Sequence, residues 1–216
     1  MYRVASLILI SLFLWSCAEK KVKAIVLPYY NEPDFTPFFI KNKQNLRDSI
    51  THTISNFSFL NQDSSQVTQQ IIENKIHVAN FIFTTCGSIC PVMTKNMKIV
   101  NDSLANDGNI VFLSYSVTPW IDSPHKLKKY MARNEIVNPN WQFITGNKAD
   151  IYTLARKSYF AEEDIGFSKD STEFLHTEHF ILVDKTKRIR GVYNGTLTLE
   201  MNQLLADIKN LQKEIY

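Results

Sequence analysis

The sequence predicts an α/β domain with a mixed central sheet that carries helices on both faces. Three observations predict it. Segments rich in β-branched and aromatic residues alternate with helical segments through the middle of the chain, which is typical of parallel strands joined by crossover helices. The strongest strand, residues 76–84 (IHVANFIFT), is apolar almost throughout, as expected of a central strand covered on both faces. Two further apolar runs near the C-terminus, joined by a short turn, add antiparallel strands.

The other elements follow from hydrophobic periodicity and from turn and capping residues. A β-hairpin leads the domain, since residues 54–59 alternate as a strand and residues 66–68 return after a polar turn. Pro91 suits the first turn of a helix, and Asp122 or Ser123 can cap a later one. The remaining elements are expected in this order: a helix to about 104, strand 110–117, helix 124–133, strand 141–145, helix 148–157, a polar loop 161–172, strands 178–184 and 188–193, and helix 197–211.

This order of elements is typical of a thioredoxin-like fold with an additional N-terminal β-hairpin. The expected fold class is therefore α/β and thioredoxin-like, with a mixed central sheet. Two cysteines lie at the junction between the central strand and the helix that follows it. In that fold, this junction is where the chemistry takes place.

Composition excludes several classes of protein. The 216 residues are enough for one domain with a full core, and 44% hydrophobic and 21% charged residues are ordinary for a globular protein. The net charge of +3, from 24 basic and 21 acidic residues, does not indicate binding to nucleic acid. Only 6 Gly and 7 Pro argue against long disordered segments.

The first residues differ in kind from the rest. Arg3 is followed by an apolar run, residues 4–15, which at about 12 residues is too short to span a bilayer as a helix. A basic start and an apolar centre are the form of a signal peptide. The run Leu14-Trp15-Ser16-Cys17 resembles a bacterial lipoprotein cleavage box, with Trp15 in place of the usual small residue.

We therefore expect residues 1–16 to be a lipoprotein signal peptide and Cys17 to carry the lipid that holds the protein at a membrane. Residues 17–50 are then the tether and an extended segment that leads into the domain, and residues 51–216 are the domain itself. The predicted location is the bacterial cell envelope, on the periplasmic side. Two alternatives stay open: an uncleaved anchor, and an ordinary signal peptide whose cleavage discards Cys17.

The pair Cys86 and Cys90 is the strongest chemical signal in the chain. A helix N-terminus stabilises negative charge, so it favours the thiolate form, which is both a nucleophile and a metal ligand. The spacing Cys-x-x-x-Cys, one residue longer than in thioredoxin-type dithiols, makes a mixed site with two sulfurs and one nitrogen plausible. The alternatives are a structural disulfide and two incidental buried cysteines.

A third ligand is expected from the segment that follows the polar loop. His176 and His179 are the two candidates there, and the residues alone do not choose between them. A lone histidine is more often a surface or core residue than a ligand. Met93 and Met97, at helical spacing, are expected in the core. The basic run 126–129 is expected to be a solvated helix face that can also meet an acidic partner.

Four stretches resemble the Sco/SenC family of copper chaperones, in the family's order. They are 81–97 (FIFTTCGSICPVMTKNM), 116–130 (SVTPWIDSPHKLKKY), 141–146 (WQFITG) and the hairpin region 176–190. The resemblance covers roughly residues 54–215. Within the second stretch, the family's Asp-Pro-x-Arg-Asp-Thr-Pro keeps both prolines and its second acidic residue, Asp122, but loses the first acidic residue and the arginine.

The resemblance implies a copper site formed by Cys86, Cys90 and His176, with His179 as a strand or rim residue. It also implies a partner, the copper-bearing subunit of cytochrome c oxidase, whose dinuclear centre would receive the metal. Soft thiolates select Cu(I), imidazole suits both Cu(I) and Cu(II), and an under-coordinated ion can leave by ligand exchange. Zinc is the competing metal, but structural zinc sites usually have a fourth ligand.

Two other functions stay open at this point. The same thiols suit a thiol-disulfide oxidoreductase that reduces cysteines of the oxidase subunit. A copper or redox sensor is the other alternative. The longer Cys spacing favours copper, as does the absence of a proline just before the strand near Glu178, where thioredoxin-type reductases place one. We therefore expect a binding protein rather than an enzyme.

Overall fold

A computed structural model of the protein describes residues 26–40, 44, 46–161 and 177–215. Its strands are β1 (Tyr29–Tyr30), β2 (Pro37–Phe38), β3 (Ser58–Asn61), β4 (Gln66–Thr68), β5 (Ile76–Ile82), β6 (Ile110–Ser116), β7 (Trp141–Thr145), β8 (His179–Val183) and β9 (Ile189–Asn194). Its helices are α1 (Leu46–Ser49), α2 (Ile89–Ser103), α3 (Pro124–Arg133), α4 (Lys148–Lys157) and α5 (Thr198–Gln212), with a 3-10 turn at Gln69–Ile72. None of the helices in these ranges is long and apolar enough to cross a membrane.

The described strands form one mixed sheet in the order β2-β1-β9-β8-β5-β6-β7-β3-β4. The three central strands β5, β6 and β7 are parallel, and the pairs on either side of them are antiparallel. Ala79 of β5 faces Ile181 of β8, and His77 faces Val183. Because β8 runs against β5, the end of β5 and the start of β8 lie at the same end of the sheet.

Two hydrophobic cores cover the two faces of the sheet. Side chains alternate along a strand, so Ile76, Val78 and Ile82 of β5 enter one core while Ala79 and Phe81 enter the other. Helices α2, α3 and α5 cover the first face, and α4 covers the second. The near-continuous apolarity of β5 therefore reflects burial on both faces, as the sequence predicted.

The predicted fold class is confirmed, and the boundaries of β7, α3 and α4 agree with those expected from the sequence. The first strand of the N-terminal hairpin differs, because pairing begins at Ser58 and extends to Asn61 instead of covering residues 54–59. Ile54 is buried, but its backbone N–H donates to the carbonyl of Lys187 at 2.9 Å rather than to a strand. The apolar alternation there marks burial without a β-ladder. Of the expected polar loop 161–172, only Ala161 lies in the described part of the chain.

Arg190 joins three distant parts of the chain in a buried ionic cluster. Its guanidinium donates to the Asp184 carboxylate (3.0 Å) and to both Glu214 oxygens (2.9 and 3.0 Å). It also donates to the backbone carbonyls of Leu27 and Pro28 at 3.0 and 2.9 Å. The Arg190 side chain is 1% exposed, and its charge lies 3.9 Å from the ring centre of Tyr29. The segment before the expected domain boundary is thus bound to the β8–β9 hairpin and to the end of α5.

Candidate metal centre

The two cysteines lie at the end of the sheet where the loop after β5 leads into α2. The Cys86 backbone N–H donates to the Phe83 carbonyl at 3.2 Å, which turns the loop back toward the helix. Cys86 is half-buried, and Cys90 in the first turn of α2 is buried, with 3% exposed. Both are free thiols in this structure.

Cys86 also takes part in capping the helix. The first backbone N–H groups of a helix have no acceptor within it, and the side chain of Ser88 at the N-cap position does not cap them. Instead, the Cys86 sulfur accepts a hydrogen bond from the Cys90 backbone N–H at 3.5 Å. The sulfur therefore lies at the positive end of the α2 dipole, where negative charge is stabilised.

This arrangement makes the two thiols unequal. Burial raises the pKa of the Cys86 thiol, but hydrogen bonds from the Cys90, Ser88 and Ile89 backbone and from the Cys90 thiol outweigh it, so its pKa falls below the ordinary value. Burial raises the pKa of Cys90 to about 12, and the charges of Cys86 and Asp122 act in the same direction. Cys86 is therefore the thiol that ionises first.

We expect the two cysteines to become reactive toward alkylation in different pH ranges. A lowered pKa means that the thiolate persists to lower pH, so Cys86 in a Cys90→Ala variant should reach half-maximal alkylation below about pH 8.5, the value for free cysteine. Cys90 in a Cys86→Ala variant should reach half-maximal alkylation only at a pH above the value for free cysteine. Iodoacetamide rates between pH 6 and pH 10, with N-acetylcysteine as the reference, measure both. Two profiles that coincide with the reference would contradict the assignment.

The Asp122 carboxylate connects the start of the cysteine loop to the end of β6. It is fully buried, and its carboxylate accepts hydrogen bonds from the Thr84 backbone N–H (3.1 Å) and the Thr84 hydroxyl (2.5 Å). It also accepts from the hydroxyls of Ser116 (2.7 Å) and Thr118 (2.9 Å), at the end of β6. Of the two predicted capping residues, Ser123 caps α3, by accepting from the Lys126 backbone N–H at 3.4 Å. Asp122 instead fixes the chain two residues before Cys86.

Tyr130 of α3 closes the other side of the loop. Its hydroxyl shares a hydrogen bond of 2.7 Å with the hydroxyl of Thr94 in α2. Burial raises the pKa of Tyr130. The hydrogen bond with Thr94 lowers it, and negative charge on Cys90 and Cys86 raises it further. Sequence reasoning did not single out Thr84, Thr94 or Tyr130, because nothing in the spacing of these residues marks a contact across three elements.

The third predicted ligand, His176, lies outside the described residues, as does the predicted lipidation site Cys17. Over the part of the chain that the structure covers, no three His, Cys, Asp or Glu side chains are grouped so as to hold a metal ion. His179 is the first residue of β8, half-buried, with its ring in an edge contact with Phe35. Met93 and Met97 are fully buried in the core, as predicted.

His77 is a core residue and not a ligand candidate. It is fully buried in β5, and its Nε2 lies 3.1 Å from the Tyr159 hydroxyl. Burial lowers its pKa to about 3, so the ring is neutral at physiological pH. It stands at the start of β5, whereas the cysteine loop follows the end of that strand.

Comparison with known proteins decides the family. The SCO1/SenC family model matches residues 47–213, which include both cysteines, Asp122 and the C-terminal hairpin. The chain belongs to the SCO1/SenC family. A SCO1 protein homolog of Bacillus subtilis is 31% identical over 169 residues, covering 77% of this chain and 86% of that protein.

Solved Sco structures agree with the fold. A SCO1/SenC family lipoprotein from Bacillus anthracis matches with a TM-score of 0.66 and 26% identity, over 75% of this chain and 96% of that one. BsSco, described as a member of the Sco family of cytochrome c oxidase assembly proteins with a disulfide switch, matches at 0.63 and 28%, over 76% and 95%. Copper-bound ScoI of Bradyrhizobium japonicum shares the fold at 0.58 and 22%, over 74% and 99%.

Proposed function

We propose that this Sco protein is a membrane-tethered copper metallochaperone, which binds one Cu(I) through Cys86, Cys90 and His176. It then delivers the metal to the dinuclear copper centre of cytochrome c oxidase. The observation that carries the proposal is the unequal pair of free thiols at the start of α2, one half-exposed with a lowered pKa and one buried. Two thiolates are soft ligands that select Cu(I) over hard cations.

The fold supports His176 as the third ligand. Thr177, the first described residue after it, precedes β8, and β8 starts at the end of the sheet where the cysteine loop lies. A nitrogen ligand supplied from the chain just before β8 would complete a three-coordinate site with Cys86 and Cys90. The copper-bound ScoI structure supports copper as the cargo, and the assembly role given for BsSco supports an oxidase as the destination.

Cargo transfer requires an accessible ligand and a site that is not fully coordinated. Cys86 is half-exposed, so an incoming ligand of the acceptor can reach the metal from its side while Cys90 stays covered. Metal binding requires both sulfurs as thiolates, so the proton of Cys90 must leave when copper enters. We expect copper to be retained until an acceptor offers further ligands.

The test is Cu(I) stoichiometry and affinity, measured by competition against bicinchoninate, for the chain without its first 21 residues. We expect one copper per chain in the wild type. Cys86→Ala, Cys90→Ala and His176→Ala should each weaken binding by more than the roughly 10- to 100-fold that loss of an outer-shell partner costs. His179→Ala is the matched control and should bind as the wild type does.

Each other result assigns the site differently. Weakened binding in His179→Ala with normal binding in His176→Ala would move the third ligand to His179. Failure of the wild type to bind copper tightly would refute the chaperone role.

The proposed lipid anchor is tested separately. The full chain should fractionate with membranes, and a Cys17→Ser variant should not.

A second function, thiol-disulfide oxidoreductase, is favoured by one observation, the unequal acidity of the two thiols. The Cys86 thiolate can attack a partner disulfide to form a mixed disulfide and release one partner thiolate. Cys90, after losing its proton, then attacks the Cys86 sulfur, which leaves a Cys86–Cys90 disulfide and a fully reduced partner. Rapid two-electron exchange together with weak copper binding would identify the protein as this reductase.

A further inference from the structure

A basic pocket lies beside the cysteine loop. It has a volume of about 290 Å³ and is lined by Thr84, Thr85, Lys126, Lys129, Tyr130 and Arg133. Thr85 is the chain neighbour of Cys86, and the Tyr130 hydroxyl lies 2.7 Å from the hydroxyl of Thr94, one helical turn after Cys90 in α2. Any molecule that approaches Cys86 from this side must therefore meet the pocket.

The three cations of the pocket are arranged along one face of α3. Lys126, Lys129 and Arg133 are spaced three and four residues apart, which places them in one row on a helix. All three are exposed, and no ion pair engages them within the residues that the structure describes. By contrast, the neighbouring Lys128 points elsewhere and is paired with Asp63 at 2.8 Å.

Like charges in one helical row repel one another, so this row costs the free protein a little stability. A row of cations that no described residue pairs, beside the half-exposed thiol of Cys86, is complementary to carboxylates on an incoming protein. Such complementarity raises association rates and orients the partner on arrival. The pocket is concave and large enough for an acidic side chain, whereas a membrane lying against the same face would cover Cys86.

We propose that Lys126, Lys129 and Arg133 form a docking surface for an acidic segment of the partner protein that exchanges ligands with Cys86. The surface would seat one or two carboxylates of the partner in the pocket while the partner's own sulfur or nitrogen ligand reaches Cys86. This inference rests on the proposed function for the identity of the partner. It also predicts that Cys86 reacts faster with acidic than with basic peptides, which can be measured without copper.

The test uses three synthetic nonapeptides, each with a central cysteine activated as a mixed disulfide with 2-thiopyridine. Their flanking residues are Glu, Lys or Ser. The Cys86 thiolate attacks the peptide sulfur, a new disulfide joins Cys86 to the peptide, and 2-thiopyridone is released and measured by absorbance. The rate is measured on the full chain in detergent, and the rate of a Cys86→Ala variant is subtracted. For each protein, the rates of the Glu and Lys peptides are divided by the rate of the Ser peptide. This ratio corrects for any effect of a substitution on the pKa of Cys86.

The critical variant is Lys126→Glu with Lys129→Glu. It should fold, because Glu at position 126 lies three residues after the N-cap Ser123 and completes a capping box. Lys209→Glu with Lys213→Glu is the matched control, since both residues are exposed on or next to the end of α5 and the change in net charge is the same.

In the wild type we expect the Glu peptide to react about 10-fold faster than the Lys peptide at low ionic strength, and the difference to fade in 0.5 M NaCl. The Lys126/Lys129 variant should reverse the preference, and the Lys209/Lys213 variant should keep it. Equal rates for the two charged peptides, or the same preference in both variants, would overturn the proposal.

A membrane is the other anionic surface that this row of cations can meet. The rate at which Cys86 captures the Ser peptide is therefore compared between anionic and zwitterionic vesicles that carry the anchored full chain. If this face binds a membrane, the anionic vesicles should slow capture in the wild type but not in the Lys126/Lys129 variant. That result would overturn the proposal in favour of a membrane contact. Equal capture in both kinds of vesicle supports the acidic protein partner. Copper affinity is measured separately, so failure of the proposed function and failure of this inference are distinguishable.

Discussion

Replacing Arg190 by methionine is expected to lower the free energy of unfolding by about 3–5 kcal/mol, the usual cost of removing one partner from a buried ion pair. Methionine keeps much of the volume but leaves the Asp184 carboxylate, which is 0% exposed, without its cation. It also removes the hydrogen bonds that Arg190 donates to the Glu214 carboxylate and to the carbonyls of Leu27 and Pro28. The carboxylates of Glu214 and Asp184 raise the pKa of Arg190 despite its burial, so its charge is permanent.

Urea denaturation followed by circular dichroism measures this loss. The matched control is Lys98→Met, which breaks the exposed i,i+4 pair with Asp102 and should cost less than about 1 kcal/mol. Limited proteolysis adds a local readout, since residues 27–40 should become cleavable in the Arg190 variant before the rest of the domain. A stability loss no larger than that of the control would show that the buried cluster contributes little.

Replacing Asp122 by alanine is expected to have the second largest effect, a loss of about 3 kcal/mol or more. The change leaves the Thr84 backbone N–H and three hydroxyls without their acceptor, and each buried unsatisfied polar group costs about 1–3 kcal/mol. Hydrogen bonds to an ionised acceptor are also the stronger kind. Because Thr84 lies two residues before Cys86, a proposed copper ligand, we expect copper affinity to fall about 10- to 100-fold, the usual cost of losing a residue that positions a ligand.

Asp122→Asn separates hydrogen bonding from charge. Its carboxamide oxygen can accept from the Thr84 N–H, Ser116 and Thr118, and its NH2 group can donate to the Thr84 hydroxyl, which is able to accept. We therefore expect most of the stability to remain. The pKa of Cys90 should decrease, because the Asp122 charge is one of the causes that raise it. If Asn is as damaging as Ala, the charge and not the geometry holds the loop.

Much of the fold could be predicted because its signals are local. The uninterrupted apolarity of β5 indicated a strand buried on both faces, and Pro124 after Ser123 marked the start of α3. The first hairpin strand was placed too early because Ile54 is buried like a strand residue while its hydrogen bond goes to Lys187, more than 130 residues later. Long-range backbone partners leave no trace in the local pattern.

The candidate site divides in the same way. Cys86 and Cys90 stand out because the helix start beside them is visible in the sequence. The burial of the Asp122 side chain under the cysteine loop was not predictable, since Asp and Ser just before a helix are equally good N-caps. The choice between Asp122 and Ser123 depends on Thr84, whose position is fixed only when β5 and β6 pair.

The placement of β8 next to β5 has a consequence for how the protein assembles. About a hundred residues separate these two strands in the chain, yet they are neighbours in the sheet. Contacts between such distant segments form late in folding, because a long loop must first be closed. A newly synthesised chain can therefore build β5, β6 and the helix between them, with both cysteines, before the C-terminal hairpin docks. Until then β5 has one open edge, and the chain just before β8, from which the proposed third copper ligand comes, is not yet held beside the two cysteines.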